Sequence, residues 1–295
     1  MKTFRYLTVA AVALALTAAP LLTPEATAGL LDKLDKVTNT GVKVVKAQKG
    51  PSLDDEKEMG KNLSAMVLGA FPPAGSEALN QYVTKVGLTV AAASDRPDLP
   101  YYFQVVDARD SQGKQIANAF SAPGGYVFIT RGLLAQLKSE AELAGVLGHE
   151  IAHIAEKHAL KAIKKQKVMG ALTDLGAQVA AEHTSGIARE FTAVIGPAFV
   201  NNLFEKGFDR ADEYKADAAA ARYASKAGYD PKGLIAFLHV IDSKGGGRNY
   251  NTILRTHPKP QDRIGRLEKL ISSKKLSEGK KQILGDRWKA SVGKL

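Results

Sequence analysis

The spacing of apolar positions changes along the chain, and the changes mark its elements. Leu79, Tyr82, Val83, Val86 and Val90 recur every three or four residues, the repeat of a helix with one buried stripe. This predicts a helix from about Gly75 to Ala93, closed by the turn-forming Asp95-Arg96-Pro97-Asp98. Upstream, Pro51-Ser52 followed by Asp54, Asp55, Glu56 and Glu58 predicts a helix start, because carboxylates favour the positive end of the helix dipole. A domain is expected to begin there. Downstream, Tyr101 to Val106, Ile116 to Phe120 and Tyr126 to Thr130 are rich in aromatic and β-branched residues and read as strands. Ala122-Pro123-Gly124-Gly125 joins the last two, so a small antiparallel sheet with a hairpin is expected.

The helical repeat returns after Ser139, which with Glu142 has the S-x-x-E spacing of a capping box. Leu143, Leu147, Ile151 and Ile154 form its apolar stripe. Ala141, Ala144, Gly145, Gly148, Ala152 and Ala155 form a smooth face that invites close approach by another element, for which the Ala-rich run 218 to 221 is suited. Residues 159 to 205 keep a helical character, but four glycines and scattered charges interrupt it. A mobile helical cover or insertion is expected there. The pattern as a whole reads as several helices with one small sheet.

One stretch carries chemistry as well as pattern: His149-Glu150-Ile151-Ala152-His153. At about 100° per residue the second histidine falls about 40° from the first and Glu150 about 100° from it. One metal can reach both imidazoles with a carboxylate beside them, the ligand-and-base arrangement of a helical zinc hydrolase site. Such sites take three protein ligands and keep a position for water. The candidates for the third lie in Arg210-Ala211-Asp212-Glu213-Tyr214-Lys215-Ala216-Asp217, where Arg210, Glu213, Tyr214 and Asp217 share an arc of about 100°. Glu213 is the preferred ligand, with Asp212 and Glu205 as rivals. Asp217 would accept the free N–H of a ligand histidine and fix its tautomer. Arg210 would steady these carboxylates or meet developing negative charge. His158, extrapolated to about 180° on a straight helix, reads as a core histidine opposite His149, and His183 and His239 read as structural.

Charge and composition narrow the setting. The chain has 295 residues, 45% hydrophobic and 24% charged, with a formal net charge of +11. Lysine runs at 161 to 167 and 274 to 281 read as solvated faces and allow peripheral association with an anionic membrane surface. There are no cysteines, which excludes disulfides, thiolate ligands and a thiol nucleophile. Lys2 and Arg5 precede an apolar run from Tyr6 to Leu22, and Ala26-Thr27-Ala28 precedes Gly29, so residues 1–28 are expected to be a cleaved signal peptide. An exported protein has no nucleic acid partner. Residues 29–50 read as an amphipathic segment and 273–295 as a basic tail.

Several motifs now stand in order: Asn118-Ala119-Phe120 with Pro123-Gly124-Gly125-Tyr126, Thr130-Arg131-Gly132-Leu133-Leu134, the histidine pair, Glu213-x-x-x-Asp217, and Thr256-His257-Pro258 followed by Arg263-Ile264. Together they resemble the zinc metallopeptidases of the M48 type, which include exported bacterial quality-control proteases and membrane-embedded CAAX-type proteases. The resemblance implies an α+β, mainly helical gluzincin-like peptidase domain with a small antiparallel sheet over 51–272, one zinc and Glu213 as third ligand, beside which Glu150 would be the proton acceptor. It also implies a periplasmic setting and unfolded or misassembled envelope proteins as substrates. The membrane spans of one branch and the helical-repeat domain of another are not seen here, so client choices tied to them do not carry over. In some members the histidine matching His257 reaches the zinc as a removable fourth ligand; alternatively His257 donates to the oxyanion. The hairpin with Asn118, Gly125 and Tyr126 is expected to hold an extended substrate by strand addition. The rivals are a chaperone or binding protein with a latent zinc site, and an envelope-tethered scaffold that binds through the basic tail.

Overall fold

The computed structural model describes residues 51–162, 207–243, 251–277 and 282–292. The expected signal, the 29–50 segment and nearly all of the expected cover at 159–205 lie outside them. Helix α1 (Leu53–Ala70) opens on Ser52, whose side chain accepts from Asp55 N while the Asp55 carboxylate accepts from Ser52 N. That reciprocal cap satisfies two donors that a helix start leaves bare. Helix α2 (Glu77–Ala91) is capped by Ser76 and buries Leu79, Val83, Val86 and Val90, as the spacing requires.

Strands β1 (Tyr102–Val106), β2 (Ala119–Ala122) and β3 (Tyr126–Thr130) follow, in the order β1-β3-β2. The β2–β3 hairpin is antiparallel with Phe120 opposite Phe128. β1 runs parallel to β3 with Gln104 opposite Phe128, so the sheet is mixed and not wholly antiparallel. Alternation along a strand reports which side chains face the core and says nothing of the neighbour. The hairpin turn needs its glycines: Gly125 has φ 103, and a Cβ there would lie 1.9 Å from Pro100 O. β2 is therefore left as an edge.

After the short α3 (Arg131–Leu134) comes α4 (Glu140–Ala155), the axis of the domain. Ser139 Oγ accepts from Glu142 N at 3.2 Å, while Glu142 reaches back to Lys138 N, one residue before the capping-box position. Leu143, Leu147 and Ile151 of α4 are wholly buried, each worth about 1.5–3 kcal/mol by removal from water. The helices α5 (Arg210–Lys226), α6 (Gly233–Ser243), α7 (Asn251–Thr256), α8 (Pro260–Ser273) and α9 (Gly285–Val292) complete the described elements. The smooth face of α4 receives them: a Cβ on Gly148 would lie 3.4 Å from Ala220 of α5, and one on Gly145 only 2.6 Å from Leu234 N of α6. The C-terminal stretch is not a free basic tail where it is described. Trp288 of α9 is buried and donates to Leu137 O, and Arg287 pairs with the buried Glu140 at the start of α4. Among the described residues no helix is long and apolar enough to cross a membrane.

Candidate metal centre

α4 places His149 and His153 one turn apart on one side, with their Nε2 atoms 3.0 Å from each other. The first turn of α5 brings Glu213 across from them, its oxygens 3.4 Å from His149 Nε2 and 3.6 Å from His153 Nε2. His257, just past α7, adds its Nε2 at 3.4 Å from Glu213 Oε2. The four donor atoms lie within 4.8 Å of one another. Both Glu213 oxygens are buried and find no hydrogen-bond partner among the described residues, and a bare carboxylate out of water costs several kcal/mol. Burial would raise its pKa, but His257, His149 and His153 hold it well below the usual carboxylate range. A carboxylate and three imidazole nitrogens facing one small space fit a divalent ion of the zinc type.

The surroundings orient these donors. His149 Nδ1 lies 2.9 Å from Asp217 Oδ1, one turn beyond Glu213 on α5. Arg263 of α8 grips the same carboxylate with two hydrogen bonds, Nε at 2.9 Å and a terminal nitrogen at 2.6 Å. Burial would raise the Asp217 pKa, yet Arg263 and His149 hold it far below the usual range. Burial alone would lower His149; its contact with Asp217 and the nearby Glu213 carboxylate overcome this and raise it to about 9. His153 has no such carboxylate on its outer nitrogen among the described residues, and burial takes it well below the ordinary imidazole value. Its ring stacks on Phe208, centroids 4.5 Å apart, and its Nδ1 faces His158 Nδ1 at 2.8 Å. His257 is fastened by its own N–H to Ile253 O and by Nδ1 near Thr256 Oγ1. Burial takes its pKa down to about 4.

Glu150 is 4% exposed, and Ser121 of β2 donates to its Oε2 at 3.0 Å. Burial pushes its pKa up to about 7 against the pull of His149, which poises the group near neutrality as a proton acceptor and donor. The edge strand thus ends beside the carboxylate. Asn118 is buried with neither amide atom partnered, Gly125 sits in the turn, and Tyr126 stacks on Tyr102 with centroids 4.8 Å apart.

The structure brings His149, Glu150, His153, Glu213, Asp217 and His257 together. It does not bring Arg210, which is exposed at the start of α5; among the described residues the guanidinium on the ligand-orienting carboxylate is Arg263, from a different helix. Asp212 lies outside the donor group, 3.5 Å from His158 Nε2, and Glu205 and His183 lie outside the described residues. His239 is exposed on α6. His158 is wholly buried as expected, but it is not opposite the site, because α4 ends at Ala155 and Lys157 beyond it takes a left-handed conformation with φ 57. Sequence reasoning assigned no role to Arg263, although Arg263-Ile264 closed the motif series. Nothing in the spacing of Ser121 or Phe208 marks them.

The sequence profile of peptidase family M48 matches residues 77–271. The chain belongs to that family. Among M48-type relatives it is 26% identical over 219 residues to the beta-barrel assembly-enhancing protease of Escherichia coli strain K12, covering 72% of this chain and 43% of that protein. It is 27% identical over 249 residues to the Yersinia pestis protein of the same name, covering 83% and 49%. With the mitochondrial metalloendopeptidase OMA1 of Schizosaccharomyces pombe it shares 27% over 244 residues, 80% of this chain and 67% of that one. The chain thus spans less than half the length of the two bacterial relatives.

Proposed function

We propose that this protein is a zinc metalloendopeptidase that cuts unfolded or misassembled proteins of the cell envelope. The observation that carries the reading is the Glu213 carboxylate, buried among three imidazoles with no hydrogen-bond partner among the described residues and beside a base poised near neutrality. His149, His153 and Glu213 would hold one zinc, with Asp217 orienting His149. Bound there, the ion would polarise the scissile carbonyl and acidify a water. Glu150 would take the proton from the attacking water on the oxygen that Ser121 leaves free, then deliver it to the leaving amine. The β2 edge would pair with an extended peptide, with Asn118, Gly125 and Tyr126 along its hairpin. Nothing in the position of exposed Arg210 supports a catalytic role for it. A fourth-ligand role for His257 is supported by its Nε2 within the donor group; held there it would take the place that water needs and keep the enzyme latent. Export to the periplasm is supported by the pattern of residues 1–28, and an envelope substrate by the names of the bacterial relatives. The test is incubation of the mature protein and its His257→Ala variant with casein, with and without chelator. Chelator-sensitive cleavage is expected. Client holding without cleavage in both proteins would favour a chaperone and sink the enzyme.

A further inference from the structure

We infer that His158 is a positioning residue for the ligand His153, and that the His153–His158 hydrogen bond, with the Asp212 carboxylate facing the outer nitrogen of His158, fixes which nitrogen of His153 faces the metal. The inference rests on the metal role proposed for His153. A neutral imidazole carries one N–H and one lone pair. His153 turns Nε2 towards the other donors and Nδ1 towards His158, so ligation through Nε2 places its proton on Nδ1. Across a 2.8 Å gap, two opposed Nδ1 atoms can share only one proton, so His158 must accept there and carry its own proton on Nε2. That nitrogen makes no hydrogen bond of good geometry and lies 3.5 Å from Asp212 Oδ1, close enough to direct the proton outward by charge.

Three further observations favour a built arrangement over an ordinary core histidine. The backbone reverses at Lys157, a non-glycine residue in the left-handed region, and this reversal turns the His158 ring back towards His153. Phe208 packs on both rings, with centroids 4.5 Å from His153 and 5.9 Å from His158, which holds their mutual tilt. Asp212 and the ligand Glu213 are adjacent in the first turn of α5, so one helix start delivers a ligand to the metal and a facing carboxylate to His158. His149 has a carboxylate and a guanidinium behind it; His153 has an imidazole, which supports a ligand without adding a charge to the buried centre.

The experiment measures zinc affinity by competition with a chromophoric chelator for wild type, His158→Leu and His158→Asn. Asparagine offers an amide oxygen near the place of Nδ1. His158→Leu is expected to bind zinc about 10–100-fold more weakly, the range for loss of a group that orients a ligand, and His158→Asn to recover most of that loss. Equal affinity in wild type and His158→Leu would overturn the inference, as would two variants weakened alike. Should His158→Leu fail to fold, the zinc-loaded wild type decides through nitrogen-15 spectra of its labelled histidines. A proton on His158 Nε2 supports the inference; one on its Nδ1 overturns it. A wild type that binds no zinc would overturn the metal reading and this inference with it, whereas intact wild-type binding with unmoved variants would overturn this inference alone.

Discussion

Replacing Arg263 by leucine removes both hydrogen bonds from the Asp217 carboxylate and leaves His149 Nδ1 as its remaining partner. Asp217 is 3% exposed and Arg263 4%, so water cannot take over. Removing one member of such a buried pair costs about 3–5 kcal/mol, because the other charge stays buried. In urea, at about 2–3 kcal/mol per M for a chain of this size, the midpoint should fall by about 1–2.5 M. Adding Asp217→Asn to Arg263→Leu removes the stranded charge and should return most of the stability. Zinc affinity should not return with it, since the carboxylate that fixes the His149 tautomer is gone; a loss of about 10–100-fold is expected. Stability and metal affinity would thus separate in the double variant. The pH dependence has a definite sign. Arg263 and His149 depress the Asp217 pKa against burial, so its contribution is present above about 3.9, the unfolded value, and is lost as pH falls through the lower folded value. The gap between wild type and Arg263→Leu should therefore narrow under acid. An Arg263→Leu penalty below about 1 kcal/mol, or a double variant no more stable than the single one, would refute this reasoning.

Other outcomes follow from the same centre. Glu213→Ala should lower zinc content and proteolysis together, while Asp212→Ala should leave both far less affected; metal analysis beside a casein assay would expose the reverse order. His257→Ala should raise basal proteolysis if the imidazole closes the water position and lower it if the ring donates to the oxyanion, and no change at equal zinc content and stability would remove both roles. His149, raised to about 9 in the metal-free protein, gives Nδ1–H to Asp217, so the proton displaced on metal binding is the one on Nε2. Zinc affinity should then fall about tenfold per pH unit below that value, and a flat profile between pH 7 and 8.5 by chelator competition would contradict it.

The helical repeat led directly to α2 and α4 because each buries one face and little in the chain competes with that pattern. The histidine pair needed only the helix pitch, and Glu213 and Asp217 only an i, i+4 spacing on a second helix. Where the reading departed from the structure, the deciding information is tertiary. Strand alternation cannot tell that β1 would lie parallel beside β3. Straight-helix extrapolation put His158 on the far side because no glycine or proline announces the reversal at Lys157. Arg210 drew a role because it is near Glu213 in sequence, and Arg263 drew none, whereas the Asp217 carboxylate is met by Arg263, 46 positions away. The lysines of the last segment suggested a basic tail, and its Trp288, whose burial the lysines hide, docks part of it on the domain.

In the proposed mechanism Glu150 moves protons for peptide hydrolysis at a metal held by its neighbours. The measurement that tests it most directly is the rate of casein cleavage by the zinc-loaded protein and its Glu150→Gln variant, with His257 intact and replaced by alanine. Zinc content should be equal throughout. Chelator-sensitive cleavage is expected in at least one His257 background, lowered by about 10²–10⁴-fold in the Glu150→Gln partner. Cleavage by Glu150→Gln at the rate of its parent, or none from any zinc-loaded form, would contradict that mechanism.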